Sequence, residues 1–220
     1  MRLNRYLAYR YGSSRRDADE AIAAGQILVN SKTGQLGQVI NAETDLISWA
    51  GRVPIKQSQH ITVLLNKPVG YVSSRSGQGS HTVYDLLPAA YQNLKIGGRL
   101  DKDSSGLVLL TTDGELIQQI THPSEGKTKQ YLVGLDKKLS PAHIKELLLG
   151  IDIGDERPSR LSCTPTPTEN QYNVSLGEGR NRQIRRTFAR LGYTVNLLHR
   201  TSIGDIEIGD LESGHYKALV

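Results

Sequence analysis

The string GGRLDKDSSGLVLLTTDGEL, residues 97–116, joins a polar, glycine-bounded loop directly to an apolar run. Its second half, GLVLLTT, is short and rich in branched side chains, the pattern of an apolar strand. A rigid strand that follows a tight loop can hold one loop side chain in a cleft, and Asp101 stands at that point. The same residues suit a plain hydrogen-bonded turn made by Asp101, Asp103, Ser104 and Ser105, and the local pattern leaves both readings open. A calcium loop does not fit, because the ligand spacing closed by a glutamate at the twelfth position is absent.

Outward from this string, ITVLL, YLVGL, QYNVSL, YTVNLL and IGDIEI read as further β-rich segments. Helical stretches are expected near 113–120, 141–149 and 182–191, the second opened by a Ser140 cap with Pro141 behind it and stopped by Gly150. Strands and helices do not alternate regularly, so a doubly wound parallel sheet is a poor fit. The expected class is α+β: a mixed, mostly antiparallel sheet with flanking helices. CTPTPT, around residue 165, reads as an irregular connection.

The first 50 residues have a different texture. Leu3, Tyr6 and Leu7 recur at helical spacing, Gly12 breaks the run, and Ser14 with Asp17 three positions later opens a second helix carrying Ala18, Ala21 and Ile22. Strand-like QILVN and DLISW follow. A core of Leu3, Leu7, Ala21, Ile22 and Val29 is small, which makes this a module appended to a larger domain. We therefore divide the chain into a module at 1–50, a linker at 51–59 and a main domain at 60–220.

Composition narrows the function. The single cysteine, Cys163, excludes an internal disulfide framework and a cysteine-rich metal site. The six histidines stand singly, at 60, 81, 122, 143, 199 and 215, without metal-helix spacing, so no metal is expected. No run of eighteen apolar residues and no secretory leader is readable, so the expectation is a cytoplasmic protein without a membrane partner. The net charge of +5 is compatible with an anionic partner and equally with simple solubility.

Placement says more than the sum. Residues 2–16 hold five arginines and no acid, and so do residues 180–190. Either cluster alone could be a solvated face; two together favour contacts to a phosphate backbone. Aromatic residues are only 5% of the chain, so shape recognition of a folded RNA is favoured over a stacking platform for single strands. On a helix over 182–191, Ile184, Phe188 and Leu191 project within about 60° of one another, Arg182, Arg186 and Arg190 lie opposite, and Arg185 falls between. An arginine in that position either meets an internal carboxylate or covers the core with its methylenes and keeps its head wet.

The motifs GRLDKDSSGLVLLTTDG, KTKQYLV and EGRNRQIRRTFARLGYTVNLLHR, together with LLNKPVGYVSS, resemble in type and order those of the pseudouridine synthases, in the branch that modifies ribosomal RNA and carries an N-terminal S4-type RNA-binding domain. RLNRYLAYRYGSSRRDADEAIAAGQILVN looks like that S4 module, so the resemblance spans nearly the whole chain. It implies a pseudouridine synthase fold for residues 60–220 and an S4-like α/β module for 1–50. It also implies Asp101 as catalytic aspartate, Tyr131 beside the target uracil and Arg185 as basic partner of the aspartate. Arg99 resembles the arginine that holds the flipped nucleotide or fills the space it leaves. Arg2, Arg5, Arg15 and Arg16 in the module, with Lys67, Arg182, Arg186 and Arg190 in the main domain, are the candidate RNA contacts; Lys67 reads as part of the strand-turn frame or a phosphate contact, with nothing nearby to depress its pKa.

The implied reaction breaks the N1–C1′ bond of uridine, turns the base and joins C5 to C1′. Asp101 acts either as nucleophile at C1′ or as the group that stabilises and deprotonates the sugar-derived intermediate. No cofactor is implied. The expected partner is ribosomal RNA or a ribosome assembly intermediate, met by a monomer. TTDGEL and RTSIGDI look more like the large-subunit branch, so a large-subunit substrate is expected; the alternatives are a small-subunit enzyme or a noncatalytic RNA-binding assembly protein. A glycosidase is disfavoured because no second, suitably spaced carboxylate is placed. Ser104 and Ser105 stand where threonine is common in the family, a difference that keeps the hydroxyls.

Overall fold

In the computed structural model, which describes residues 1–54, 60–121 and 127–219, contacts cluster into two units, Met1–Gln59 and His60–Val220. Residues 55–59 of the expected linker, and His122, lie outside the described residues.

The second unit is organised around GLVLL. Nine strands form one sheet: β4 (Thr62–Lys67), β5 (Lys95–Gly97), β6 (Ser105–Thr111), β7 (Lys129–Leu135), β8 (Ser162–Pro165), β9 (Gln171–Leu176), β10 (Val195–Ile203), β11 (Ile206–Glu207) and β12 (Tyr216–Leu219). The order is β12-β4-β6-β10-β7-β9-β8, with β5 beside β6 and β11 beside β10. All these pairings are antiparallel except β6 with β10, which meet in parallel at His199↔Ser105 and Arg200↔Gly106. Alternate residues of β6 enter different cores: Val108 and Leu110 join the larger cluster with Phe188 and Leu147, while Leu107 and Leu109 pack with Leu64, Ile120 and Ile203. Burial on both faces is why the run reads as continuously apolar.

Three helices accompany the sheet: α3 (Gly114–Thr121), α4 (Pro141–Leu149) and α5 (Gln183–Arg190). The Ser140 hydroxyl caps α4 by accepting from the His143 amide at 3.2 Å, Pro141 occupies its first turn and Gly150 ends it, as expected.

Two sequence expectations change. IGDIEI is not one strand: Ile203 ends β10, Gly204 turns at φ 56°, and Ile206 returns antiparallel as β11. The CTPTPT segment is not irregular at its start, since Ser162–Pro165 is edge strand β8 with only Cys163 buried. Sparse apolar content and a proline hide an edge strand, where a missing N–H is tolerated.

Within the first unit, α1 (Leu3–Tyr11) and α2 (Arg15–Ala23) pack with a three-stranded sheet of β1 (Ile27–Val29), β2 (Lys32–Thr33) and β3 (Ile47–Trp49). Gly12 ends α1 in the left-handed region at φ 66°, and Ser14 and Asp17 form a reciprocal capping box on α2. The expected core of Leu3, Leu7, Ala21, Ile22 and Val29 is present, extended by Tyr11, Ile27, Ile40 and Trp49.

The parallel contact between β6 and β10 depends on Gly106. Its φ is 105°, and a Cβ there would fall inside contact distance of the Arg200 backbone. Gly106→Ala is therefore expected to destabilise the chain by roughly 2–4 kcal/mol, read as a lowered midpoint in urea unfolding; an unchanged midpoint would show that the pairing tolerates a side chain.

Candidate active site

The loop between β5 and β6 carries Asp101, and its backbone is fixed from several directions. Gly98 turns at φ 77° against the Arg200 guanidinium. Arg200, only 2% exposed, donates from Nε and Nη2 to the Leu107 carbonyl at 2.8 and 2.6 Å, and from Nη2 to the Gly98 carbonyl. The Ser73 hydroxyl accepts from the Leu100 amide at 3.1 Å, the Ser104 amide donates to the Asp101 carbonyl at 3.1 Å, and the Gly70 amide donates to the Lys102 carbonyl at 2.8 Å. Both readings of this loop are thus realised together: it is a hydrogen-bonded turn, and Asp101 lines a cleft of about 490 Å³.

Tyr131 lies across that cleft on β7, its ring buried, with its Cα opposite Arg200 of β10. Arg99, Lys129, Arg180 and Arg182 also line it, and Arg99 is exposed.

The arginines of the third motif are arranged differently from the expectation. Arg185 does not pair with Asp101. Its Nη2 donates to the Asp103 carbonyl at 2.7 Å and its Nη1 to the Val195 carbonyl at 2.8 Å, while Nε stands 3.3 Å from the Asp103 carboxylate. It does face inward, with a side chain only 14% exposed, but it binds the turn behind the aspartate. Arg182 is the nearer cation: it grips both Asp103 oxygens, at 3.0 and 2.8 Å, and reaches within 3.7 Å of Asp101 Oδ2. The reason is local. Arg182 is not on the helix but caps it in the left-handed region, at φ 46°, which turns it into the cleft and away from the face opposite the core. The Arg182 contact is the main reason the Asp103 carboxyl sits below the usual range; its neighbour Arg185 adds to it, against partial burial.

Two other candidate RNA contacts are committed elsewhere. Arg186 donates to the Asn181 and Ile153 carbonyls and to both oxygens of Asp155, which engages four of its five N–H groups within the protein. Lys67 is fully buried and donates to the Pro68 carbonyl at 2.9 Å, so it cannot meet a phosphate. Its pKa is pushed down to about 8 by burial and by Arg200, with Asp103 and Asp101 opposing, which also corrects the expectation that nothing depresses it. Arg190 keeps an exposed position, its Nε on the Asp152 carbonyl at 3.1 Å. In the first unit Arg2, Arg15 and Arg16 are exposed and Arg5 is half-buried.

Sequence reasoning missed Arg200 and Lys129 as parts of the site. Arg200 was visible only as a cation inside an otherwise strand-like segment, YTVNLLHRTSI, and Lys129 as a cation two residues before Tyr131 in β7. Among the described residues no group of three or more His, Cys, Asp or Glu could hold a metal ion, and no helix is long and apolar enough to cross a membrane.

Comparison with known proteins follows the same lines. Residues 61–190 match the RNA pseudouridylate synthase family. The ribosomal small subunit pseudouridine synthase A of Vibrio parahaemolyticus is 34% identical over 224 residues, covering 100% of this chain and 96% of that protein. The dual-specificity RNA pseudouridine synthase RluF of Escherichia coli is 30% identical, over 100% of this chain and 75% of its own length. A crystal structure of a pseudouridylate synthase superposes with a TM-score of 0.73 at 31% identity, over 100% of this chain and 96% of the other. The chain belongs to the RNA pseudouridylate synthase family, and it is an isomerase that acts on RNA.

The preference for a large-subunit substrate is overturned, because relatives that match the whole chain are named for the small subunit. The two segments behind that preference are frame elements. TTDGEL spans the end of β6 and the start of α3, where Asp113 accepts from the Glu115 and Leu116 amides, and RTSIGDI spans the end of β10 and its hairpin. Such residues report packing, not a choice of RNA.

The buried lysine has a measurable consequence. Its folded pKa of about 8 lies below that of a solvated lysine, so between pH 8 and about 10.4 the unfolded chain binds more protons and stability rises with pH. Below pH 8 the folded state carries the full cost of the charge, on the order of 3 kcal/mol. Lys67→Met is expected to flatten most of that rise in urea unfolding between pH 7.5 and 10.5; a slope equal to the parent's would assign the effect to other groups.

Proposed function

We propose that this enzyme converts uridine to pseudouridine in small-subunit ribosomal RNA, with Asp101 as the catalytic carboxylate and Tyr131 against the target uracil. The observation that carries the assignment is the fixed loop: Asp101 projects into the cleft from a backbone held by Arg200, Ser73 and the Asp103–Arg182 pair, opposite a buried tyrosine. An in-place isomerisation needs a carboxylate that keeps its position while the base detaches and turns. Arg182 places a guanidinium 3.7 Å from the Asp101 carboxylate that nucleophilic attack at C1′ or proton removal would use. Arg185 is a positioning residue, which ties the Asp103–Ser104 turn to β10 through Val195.

Reaching a uridine inside folded RNA costs a few kcal/mol of unstacking. Exposed Arg99 and Arg190 in the second unit offset that cost through phosphate contacts or by filling the vacated space. The first unit, two helices with a small sheet and exposed Arg2, Arg15 and Arg16, is read as the S4-type module that grasps an RNA stem. The enzyme acts, on this reading, as a cytoplasmic monomer on ribosomal RNA or an assembly intermediate. Its relatives named for the small subunit support that choice of RNA.

Asp101→Asn is expected to abolish pseudouridine formation while leaving RNA affinity within about threefold, since it removes charge without changing shape. Pseudouridine mapping in ribosomal RNA from cells with and without the chain should show a loss confined to the small subunit. Parent-rate modification by the asparagine variant, or a loss confined to the large subunit, would refute the corresponding half of the assignment. Replacing Arg15 and Arg16 together by Ala should weaken RNA binding and lessen its salt dependence by about two charges, measured by titration at several salt concentrations.

A further inference from the structure

The arginines of the Gly179–Gln183 segment that line the cleft already have carboxylates, Arg182 with Asp103 and Arg180 with Asp155 and Glu178, while Arg200 spends its donors on backbone carbonyls. Lys129 differs. It lies in the cleft wall with 8% of its surface exposed, and among the described residues no carboxylate stands within ion-pair distance of it. Its one hydrogen bond among those residues runs to the Lys127 carbonyl at 3.4 Å, and its Cε lies against Gly179 in the loop before α5. Nearby Arg200 spends its donors on backbone carbonyls and repels the ammonium. A buried cation lining an open cleft can take an anion that a substrate brings there.

We infer that Lys129 is a catalytic residue for the departing base, holding the negative charge that uracil acquires when the N1–C1′ bond breaks. The inference rests on the reading of Asp101 and Tyr131 as the reaction centre. Lys129 and Tyr131 are two apart on β7 and share its buried, cleft-facing side, which sets their Cα atoms roughly 7 Å apart. The group that reaches that depth beside the tyrosine is the planar base. A phosphate, strongly hydrated, is better met by exposed Arg99.

The electron count requires such a partner. The N1–C1′ bonding pair leaves with the base, which becomes an anion shared among N1, O2 and O4. C1′ is compensated by a bond to the Asp101 carboxylate or by loss of the C2′ proton to it. After the base turns, a pair from the anion forms the C5–C1′ bond. As that bond forms, the C1′–aspartate bond breaks with its pair returning to the carboxylate, or the C1′–C2′ double bond opens and C2′ takes back its proton; C5 finally loses its proton and N1 gains one, giving an isomer with no net reagent. A fixed ammonium on the base acts where charge develops, and removing one such donor costs about 10²–10³-fold in rate.

The test is single-turnover cleavage of the N1–C1′ bond in RNA containing uridine or 5-fluorouridine at the target position, with RNA affinity measured alongside. Fluorine stabilises the departing anion by withdrawing electrons, so it substitutes for part of what Lys129 supplies. Lys129→Met is expected to slow uridine cleavage about 10²-fold, to slow 5-fluorouridine cleavage at least tenfold less, and to leave affinity nearly unchanged; Lys129→Arg, which keeps the charge, should recover most of the rate. Equal slowing of the two substrates in Lys129→Met, or weakened affinity with unchanged cleavage, overturns the inference and assigns the lysine to packing or to a phosphate. If the methionine variant does not fold, Lys129→Arg decides by itself: a rate as low as that of an inactive enzyme overturns the proposal. Failure of the underlying reading is separate, since it appears as an active Asp101→Asn enzyme.

Discussion

The buried guanidinium of Arg200 is the interaction on which the rest of the second unit depends. It sits on β10, reaches across the one parallel pairing of the sheet, and donates to carbonyls of Leu107 in β6 and Gly98 in the loop that carries Asp101. One side chain thereby connects the strand beside Tyr131, the central strand and the Asp101 loop. Its approach is possible because Gly106 offers no Cβ toward the β10 backbone and Gly98 can take a positive φ. An arginine suits this better than a lysine, because its planar fork addresses several carbonyls at once and stays charged when desolvated.

The acid-base arrangement follows from that frame. Asp103, not Asp101, takes the bidentate arginine, and Arg185 reinforces the same turn through its backbone. Asp101 is left with one cation at 3.7 Å, too long for a hydrogen bond, so its oxygens are not consumed by the protein. That division separates two demands that conflict on a single carboxylate. A group clamped by two strong hydrogen bonds is well placed but poorly nucleophilic, whereas the clamp on Asp103 fixes the turn and leaves its neighbour available.

Much of this was legible before any coordinates. The apolar run of β6, the Ser14–Asp17 capping box, the Ser140-Pro141 start of α4 and the core of the first unit all follow from local rules that the surrounding fold does not override. What escaped was settled by long-range packing or by one dihedral angle. Edge strand β8 lacks apolar alternation because one side chain, Cys163, suffices to anchor it. Arg182 moved from the outer helix face to the cleft because the helix begins one residue later than its amphipathic pattern suggests. Of the two readings of Lys67, strand-turn frame or phosphate contact, burial leaves the first, because β4 is covered along its whole length and a lysine at the end of TVLLNK does not reveal that cover in sequence.

The charge of the chain acquires its meaning from the same distinction between exposed and buried cations. Arg180, Arg182 and Arg186 form a dense run in sequence, yet each is paired locally with Asp155, Glu178 or Asp103, and the first two line the cleft. Arg2, Arg15, Arg16 and Arg99 are exposed and stand outside the ion pairs described, so their charge is open to a long-range partner. Buried Lys67, Lys129 and Arg200 act over a shorter range and in a lower dielectric, where a cation is costly until a negative group arrives. Of these three, Lys129 and Arg200 line the cleft beside Asp101 and Tyr131, and if the proposed reaction takes place there, their charge acts on the step in which the base turns anionic more than on the neutral ground state.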